Sequence, residues 1–368
     1  MKEAGMYHAI GLMSGTSMDG VDAALVETDG GTHVRALSTM TVPYDAPFRA
    51  RLRKYLGNQS GTSDPEVAAF ERELTELHAE IVQKFIEHVN GLAPSIDLIG
   101  FHGQTIWHQP KKRATIQIGD GALLARMTKI PVVNDFRTAD VKAGGNGAPL
   151  VPLYHRALAA DLPKPVAIVN IGGLSNITWI GNDKDGEENI VAFDSGPGNA
   201  LIDDWMLHRI GQAYDEFGAL AAAGRANEKL VTRFLAQAFF KRKPPKSVDR
   251  NAFRHVDLEG VTAADGAATL TLITAKAIVK ALDFVPQKPL NLYVTGGGRL
   301  NRTLMRFIAE LAEVPVGPVE ELGWSGDGLE AEAFAYLAVR SRLGLPISMP
   351  ATTGVPKPMT GGKLHQPE

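Results

Sequence analysis

Gly11-Leu12-Met13-Ser14-Gly15-Thr16-Ser17-Met18-Asp19-Gly20-Val21-Asp22 joins two short apolar runs, His8–Met13 and Val21–Glu27. Runs of this length, separated by a Gly/Ser/Thr turn and closed by Thr28-Asp29-Gly30-Gly31, read as a β-hairpin with a polar tip. The pattern recurs. Pro165–Ile171 is predicted as a strand, Gly172-Gly173-Leu174-Ser175-Asn176 as a turn and Ile177–Ile180 as a strand. Each half of the chain therefore opens with a hairpin whose tip carries small hydroxyl- or amide-bearing residues. This weak internal repeat places the division near residues 137 to 160.

Working outward, Pro65 to about His88 is predicted as a helix. Ser63 and Asp64 stand at its cap, Pro65 in its first turn and Asn90-Gly91 past its end. Phe70, Leu74, Leu77, Ile81 and Phe85 fall on one face. Ile96–Phe101 reads as a strand ending in a polar loop, His102-Gly103-Gln104-Thr105. Ile130–Val133 runs into Asn134-Asp135-Phe136-Arg137, and a Gly-rich stretch covers Lys142–Pro149. In the second half, Val191–Phe193 and Leu292–Thr295 read as strands. Asp194–Asn199 is expected to turn into a helix carrying Leu201, Ile202 and Trp205. Asn301–Leu311 and about Gly328–Leu343 are expected helices, and the tail after Pro346 is expected to be extended. Strands alternating with helices give an α/β class, in which ligands sit at the carboxyl ends of strands. The polar clusters fall there.

Composition narrows the function. The 368 residues suggest two domains at roughly 150 residues each. Hydrophobic residues make up 44% and charged residues 21%, the balance of a globular chain. A net charge of -3 gives no drive toward a phosphate backbone, so nucleic acid is not an expected partner. With no cysteine, disulfides, Cys-ligated zinc and thiolate nucleophiles are excluded. Met1–Met13 does not read as a signal peptide, and no apolar window approaches 18 residues, so the expectation is a soluble enzyme with no membrane partner.

The common motifs are missing. There is no Walker A Gly-Lys-Ser/Thr, no His-Glu-x-x-His, and no Gly-x-Gly-x-x-Gly after the first strand; Gly323-Trp324-Ser325-Gly326-Asp327 lacks the last glycine of a nucleophile elbow. What remains are Gly-rich turns. Backbone N–H groups at Gly15–Asp22 can converge on phosphate, with Asp19 or Asp22 near a magnesium ion. The alternative is an ordinary hairpin turn. Gly172-Gly173 has the same two readings. Gly296-Gly297-Gly298 would let backbone approach a flat ligand, or simply connect strand to helix. Asp194 is a general base at a strand end or a helix cap. His102, Gln104, Trp107 and His108 suit a sugar or the core. Arg137 can bind a carboxylate bidentately or pair with Asp135 or Asp140. The basic run Lys241–Lys246 reads as a solvated loop, and the scattered methionines as core filler.

Together these strings resemble the anhydro-N-acetylmuramic acid kinases. The carrying residues are Gly11–Asp22, Phe101–Thr105, Thr115–Gly119, Asp135–Arg137, Ala143–Pro152, Asn170–Asn176, Phe193–Asn199, Gly296–Gly298 and Thr352–Gly354, in order along nearly the whole chain. The resemblance implies two actin-like (ribonuclease H-like) α/β domains flanking an ATP cleft: residues 1–137, completed by 340–368, and 138–339. It implies that Gly15, Thr16, Ser17, Met18, Asp19, Gly20, Val21 and Asp22 form the ATP phosphate loop, with Gly172, Gly173, Gly296, Gly297 and Gly298 also at the nucleotide. Asp19 and Asp22 would meet the Mg2+ that accompanies ATP. Asp194 corresponds to the catalytic base and Glu330 to a second active-site carboxylate. His102, Gln104, Arg137 and Asn176 are the expected sugar contacts, and Gly181–Asn189 is expected to be a variable surface loop. The implied reaction opens the 1,6-anhydro bridge of the sugar with water and phosphorylates O6. It belongs to cytoplasmic cell-wall recycling and leaves room for a homodimer. An ordinary sugar kinase of the same fold, or an ATPase switch, are the competing readings.

Overall fold

The computed structural model describes residues 5–15, 18–93, 95–182, 189–248, 253 and 256–367. Its strands are β1 (Tyr7–Ser14), β2 (Gly20–Thr28), β3 (Val34–Pro43), β4 (Leu98–Gln109), β5 (Ala114–Ile118), β6 (Val132–Asn134), β7 (Val166–Ile171), β8 (Leu174–Ile180), β9 (Ile190–Pro197), β10 (Asn291–Thr295), β11 (Val316–Pro318) and β12 (Lys363–His365). The chain divides into two compact units, residues 1–160 with 328–368, and residues 161–327. The boundaries drawn from sequence, at 137/138 and 339/340, differ from these. The Gly-rich stretch and the helix Pro152–Leu158 go with the first unit, and so does the whole helix Leu329–Arg342, because it packs on β1, β2 and β4.

In the first unit the sheet runs β12-β6-β4-β1-β2-β3, with β5 hairpinned onto β4. β1, β2 and β3 form an antiparallel meander, while β4 lies parallel to β1 and β6 parallel to β4. In the second unit the order is β11-β10-β7-β8-β9, again an antiparallel meander (β7, β8, β9) followed by two parallel strands (β10, β11). Five strands of the first sheet (β6-β4-β1-β2-β3) thus share the order and directions of the second, β5 and β12 being additions, and the two hairpins are the start of each copy. Each unit is an α/β layer, one mixed sheet covered by helices.

The helix Pro65–His88 covers one face of the first sheet. Its start is set by Asp64, whose side chain accepts from Glu66 N, and Phe70, Leu74, Ile81 and Phe85 are buried along its apolar stripe. Side chains of this size contribute roughly 1.5–3 kcal/mol each when fully buried. The helix Leu329–Arg342 lies on the sheet so closely that only glycine fits beneath it. Gly11 of β1 and Gly100 of β4 are register partners, and a Cβ on either would overlap the backbone of Ala331 or Phe334. In the second unit the core forms against the helices Ala263–Ala281 and Arg302–Ala312. The first of these was not anticipated. Thirteen of its 19 residues are buried, so it has no polar stripe to reveal a helical period.

Three further expectations are corrected. The segment His102–Thr105 is strand and not loop: β4 continues to Gln109 because β5 pairs with it from Gln104 onward. Asp194 lies within β9, which runs on to Pro197, and not at a strand end. The tail after Pro346 is not simply extended, since it contains a short helix, Pro350–Thr353, and β12, which pairs antiparallel with β6.

Candidate active site

In the second unit, strand register assembles the candidates. Thr295 of β10 pairs with Asn170 of β7, Asn170 with Asn176 of β8, and Asn176 with Asp194 of β9. Directly paired residues point to the same face, so four polar residues cross the sheet in one row. Thr295 ends β10 and Asn170 is the last residue but one of β7, and the Gly-rich turns follow them.

Those turns are held rigidly. The Gly172 and Gly173 carbonyls accept from Asn199 N (2.7 Å), Gly198 N (3.0 Å) and Ala200 N (3.2 Å), tying the turn to the start of the helix Ala200–Ile210. Gly296 has φ +76°, and a Cβ there would collide with Asn170. At Gly298 it would strike Ile171. Gly297 differs from both: its nearest neighbour would be Asn199 Nδ2 at 3.7 Å. Two of the three glycines are therefore explained by packing inside the protein, and Gly297 alone keeps an open side.

Asp194 is not a helix cap. The next helix begins at Ala200, with Asn199 at its cap position. Instead the Asp194 N–H donates to the Lys246 carbonyl (3.0 Å), and the Val248 N–H donates to Asp194 Oδ2 (2.8 Å). Burial pushes the Asp194 carboxyl up to about 7, opposed by the Val248 N–H, Arg242 and Lys246. A carboxyl in that range is half ionised near neutral pH and suited to take a proton. Lys246 itself corrects the reading of Lys241–Lys246 as a solvated loop: it is 3% exposed.

In the first unit, the hairpin turn between β1 and β2 is braced from inside. Gln104 is fully buried; Ser14 Oγ donates to its Oε1 (2.6 Å), and its Nε2 donates to the Gly15 carbonyl (3.2 Å). The Met18 N–H closes the turn on Gly15 O at 3.1 Å, with Met18 at φ +57°. Gly20 is required by β3, since a Cβ would overlap the backbone of Val42 and Pro43. Val21 is buried in the core. Thr16 and Ser17 lie outside the described residues, as do 183–188 of the expected surface loop. Asp19 is ion-paired with Arg49 (2.5 Å), and Asp22 accepts from Thr41 Oγ1 (2.6 Å). Neither belongs to a cluster of three or more potential metal ligands among the described residues. This donor set does not fit a resident ion. It is compatible with Mg2+ delivered as the nucleotide complex, which needs few protein ligands.

The expected sugar contacts of this unit are largely engaged with the protein. Arg137 donates from Nε to His102 Nε2 (3.0 Å) and from a terminal nitrogen to the Gly147 carbonyl (2.6 Å), while His102 Nδ1 bonds the Gly103 carbonyl at 2.8 Å. With 4% exposure, His102 is a support for Arg137. Arg137 is only half-buried, and it feels the charges of Glu330 and Asp140. Glu330 opens the helix Leu329–Arg342 and is also half-buried. Arg137 is not hydrogen-bonded to Asp135 or Asp140 in the way the sequence allowed. Asp140 instead accepts from Gly147 N (2.6 Å) and Thr353 Oγ1 (2.5 Å) and holds the Gly-rich stretch.

The sequence profile of the anhydro-N-acetylmuramic acid kinases matches residues 7–367. The chain belongs to this family. Among curated anhydro-N-acetylmuramic acid kinases, it is 51% identical to the one from Rhodospirillum rubrum over 97% of this chain and 94% of that one. It is 50% identical to the one from Rhizorhabdus wittichii, over 98% of this chain and 99% of that one. A ligand-bound xylulose kinase from Lactobacillus acidophilus superposes with a TM-score of 0.48 at 11% identity, over 98% of this chain and 94% of that one. Membership makes the protein an enzyme, a kinase of an amino sugar. No helix among the described residues is long and apolar enough to cross a membrane.

Proposed function

We propose that the enzyme uses ATP and water to open the 1,6-anhydro bridge of 1,6-anhydro-N-acetylmuramic acid and to phosphorylate O6, forming N-acetylmuramic acid 6-phosphate and ADP. The observation that carries this reading is Asp194: a carboxyl pushed to about 7, clamped by backbone at the end of a polar row. The substrate has no proton on O6, so a base there has nothing to remove. It has work to do on water. In the proposed step Asp194 takes a proton from water as its oxygen bonds C1. The C1–O6 bond breaks, and O6 bonds the γ-phosphorus as ADP leaves. Phosphoryl transfer absorbs the charge that develops on O6, so no separate acid is required.

The other roles follow from chemistry within each unit. The Gly15–Asp22 turn and the turns at Gly172-Gly173 and Gly296–Gly298 are assigned to ATP, with Gly297 the closest backbone approach. Asn176, beside Asp194, is assigned to the sugar. Arg137, oriented by His102 and influenced by Glu330, is assigned to the lactyl carboxylate, the one fixed charge on this sugar. Mg2+ carried by the nucleotide would screen its phosphates. The product belongs to the reuse of cell-wall sugars.

Labelled water tests the reading. In a short reaction in H2-18O, with a product-only control for exchange, label is expected in the C1 hydroxyl and not in the transferred phosphate. Label in phosphate would mean ATP hydrolysis uncoupled from the sugar, and the reading would be abandoned.

A further inference from the structure

Lys246 is an expensive residue for its position. It is 3% exposed, and its ammonium sits 4.4 Å from the ring centroid of Phe284, 4.7 Å from Phe239 and 5.4 Å from Phe193. Among the described residues its ammonium donates one hydrogen bond, a long one, to the Phe239 carbonyl at 3.4 Å. Methionine would fill the same apolar space with no desolvation cost. Three aromatic faces offset part of that cost, since a cation within about 6 Å of a ring is attracted to it. The cage therefore tolerates a charge that packing does not need.

The same segment grips Asp194 twice, through Lys246 O and Val248 N. Phe193, one wall of the cage, is the residue before Asp194 in β9. The charged groups acting on Asp194 among the described residues are Lys246 and Arg242, both cationic. Those acting on Lys246 are Arg242 and Asp194, with Lys280 from the helix Ala263–Ala281. Arg242 is itself anchored, donating to the Ser247 carbonyl at 2.8 Å and lying over Phe239.

We propose that Lys246 is a positioning residue for the reaction: held in its phenylalanine cage, it fixes the Lys246–Val248 segment against Asp194 and its charge favours the ionised carboxylate. This rests on the reading of Asp194 as the base. Burial raises the Asp194 carboxyl to about 7, and Lys246 opposes that rise. Without the charge the carboxyl climbs further and less base is available at neutral pH. Burial also brings the ammonium down to about 8. At pH 9, then, the native side chain is largely neutral while Asp194 is ionised with or without it.

The test compares Lys246→Met, Lys246→Gln and Lys246→Arg in the full chain. The acid limb of the kcat profile is expected to move upward in the Met and Gln variants, by less than the full unit that a contacting opposite charge would give, since Lys246 ranks below the Val248 N–H and Arg242 among the groups that hold the Asp194 carboxyl down. At pH 7 that is a loss of kcat of up to about fivefold, recovering by pH 9, with sugar KM little changed. Lys246→Arg should restore most of the native profile. Carbon-13 NMR of the Asp194 carboxyl should show the same displacement without turnover. A carboxyl titration unmoved in both neutral variants overturns the proposal, as does an Arg variant that behaves like Met. The base assignment is tested separately by Asp194→Asn. If that variant stays active, the base lies elsewhere, while the NMR titration still reports whether Lys246 acts on Asp194.

Discussion

Arg137 donates from Nε to His102 Nε2 across 3.0 Å, and a guanidinium offers no acceptor. The imidazole nitrogen facing it must therefore lack a hydrogen. His102 then carries its proton on Nδ1 and donates it to the Gly103 carbonyl at 2.8 Å. Burial, with the Arg137 charge adding to it, holds this histidine well below its ordinary range, so the tautomer stays fixed through neutral pH. Nitrogen-15 NMR should show a protonated Nδ1, a bare Nε2 and no titration between about pH 5 and 8. Removing the acceptor with His102→Ala should cost about 1–3 kcal/mol of stability and raise the sugar KM more than it lowers kcat. A protonated Nε2 would break the proposed support of Arg137.

Asp194→Asn keeps the shape of the proposed base and removes its basicity. The turnover rate should fall roughly 10²–10⁴-fold, with sugar affinity measured by calorimetry little changed. In the native enzyme the ionised form is the active one, so kcat should fall as pH drops through about 7. A rate flat down to pH 5 would exclude Asp194 as the group that limits the reaction.

Gly297 and Gly298 are neighbours with opposite prospects. A methyl at Gly297 meets only Asn199 Nδ2 at 3.7 Å, whereas one at Gly298 strikes Ile171. Gly297→Ala should leave the melting temperature within about 1 °C and weaken ATP binding at least tenfold. Gly298→Ala should lower stability by about 1–3 kcal/mol through overpacking. Unchanged ATP affinity in a well-folded Gly297→Ala would remove this loop from the nucleotide site.

Glu332 is buried beside Tyr154, whose hydroxyl donates to its Oε2 at 2.8 Å, and burial pushes its carboxyl up to about 7 from an ordinary 4.5. The folded state therefore holds a proton that the unfolded chain releases as pH rises from 4.5 to 7. Stability from this group is fully present below pH 4.5 and lost as pH rises through 7. Glu332→Gln, which cannot ionise, should be the more stable form at pH 8 by on the order of 2–3 kcal/mol, with the advantage shrinking toward pH 5. Denaturant melts at the two pH values would show it.

Gly11→Ala and Gly100→Ala each push a methyl into the backbone of the helix Leu329–Arg342, at Ala331 and Phe334. Backbone cannot step aside as a flexible side chain can. Each variant should lose at least 3 kcal/mol or fail to accumulate as folded protein. Near-native melting curves would mean the helix can lift.

Much of this arrangement is legible in the sequence. The two hairpins marked the repeat because turn chemistry is local, and Gly172-Gly173 and Gly296–Gly298 declared themselves as turns for the same reason. Asp194 was found but misplaced at a strand end, since Ser195-Gly196-Pro197 reads as a turn until β8 pairs with it through Ser175 and Leu174. Gln104 and His102 looked like ligand groups because polarity is visible in sequence and burial is not. Lys246 was misread as part of a solvated loop, although it is buried. Its cage comes from Phe193, Phe239 and Phe284, dispersed over 91 positions, and a basic run with two prolines carries the signal of a solvated loop. The nearby Phe239-Phe240 pair was the only local hint that this stretch runs close to the core.

The contact between Gly11, Gly100 and the helix Leu329–Arg342 also sets an order of events during synthesis. Residues 161–327 are contiguous and hold all the strands of their own sheet, so that unit can mature as soon as it clears the ribosome. Strands β1–β4 of the first sheet are made earlier yet must wait for the helix that covers them, and for β12. From Gln109 to Arg342 the ribosome needs roughly 10–50 s at 5–20 residues per second. For that interval one face of the first sheet, with its bare glycine groove, is open to whatever nascent chains or chaperones are near. The part of the protein translated first is thus the last to be finished.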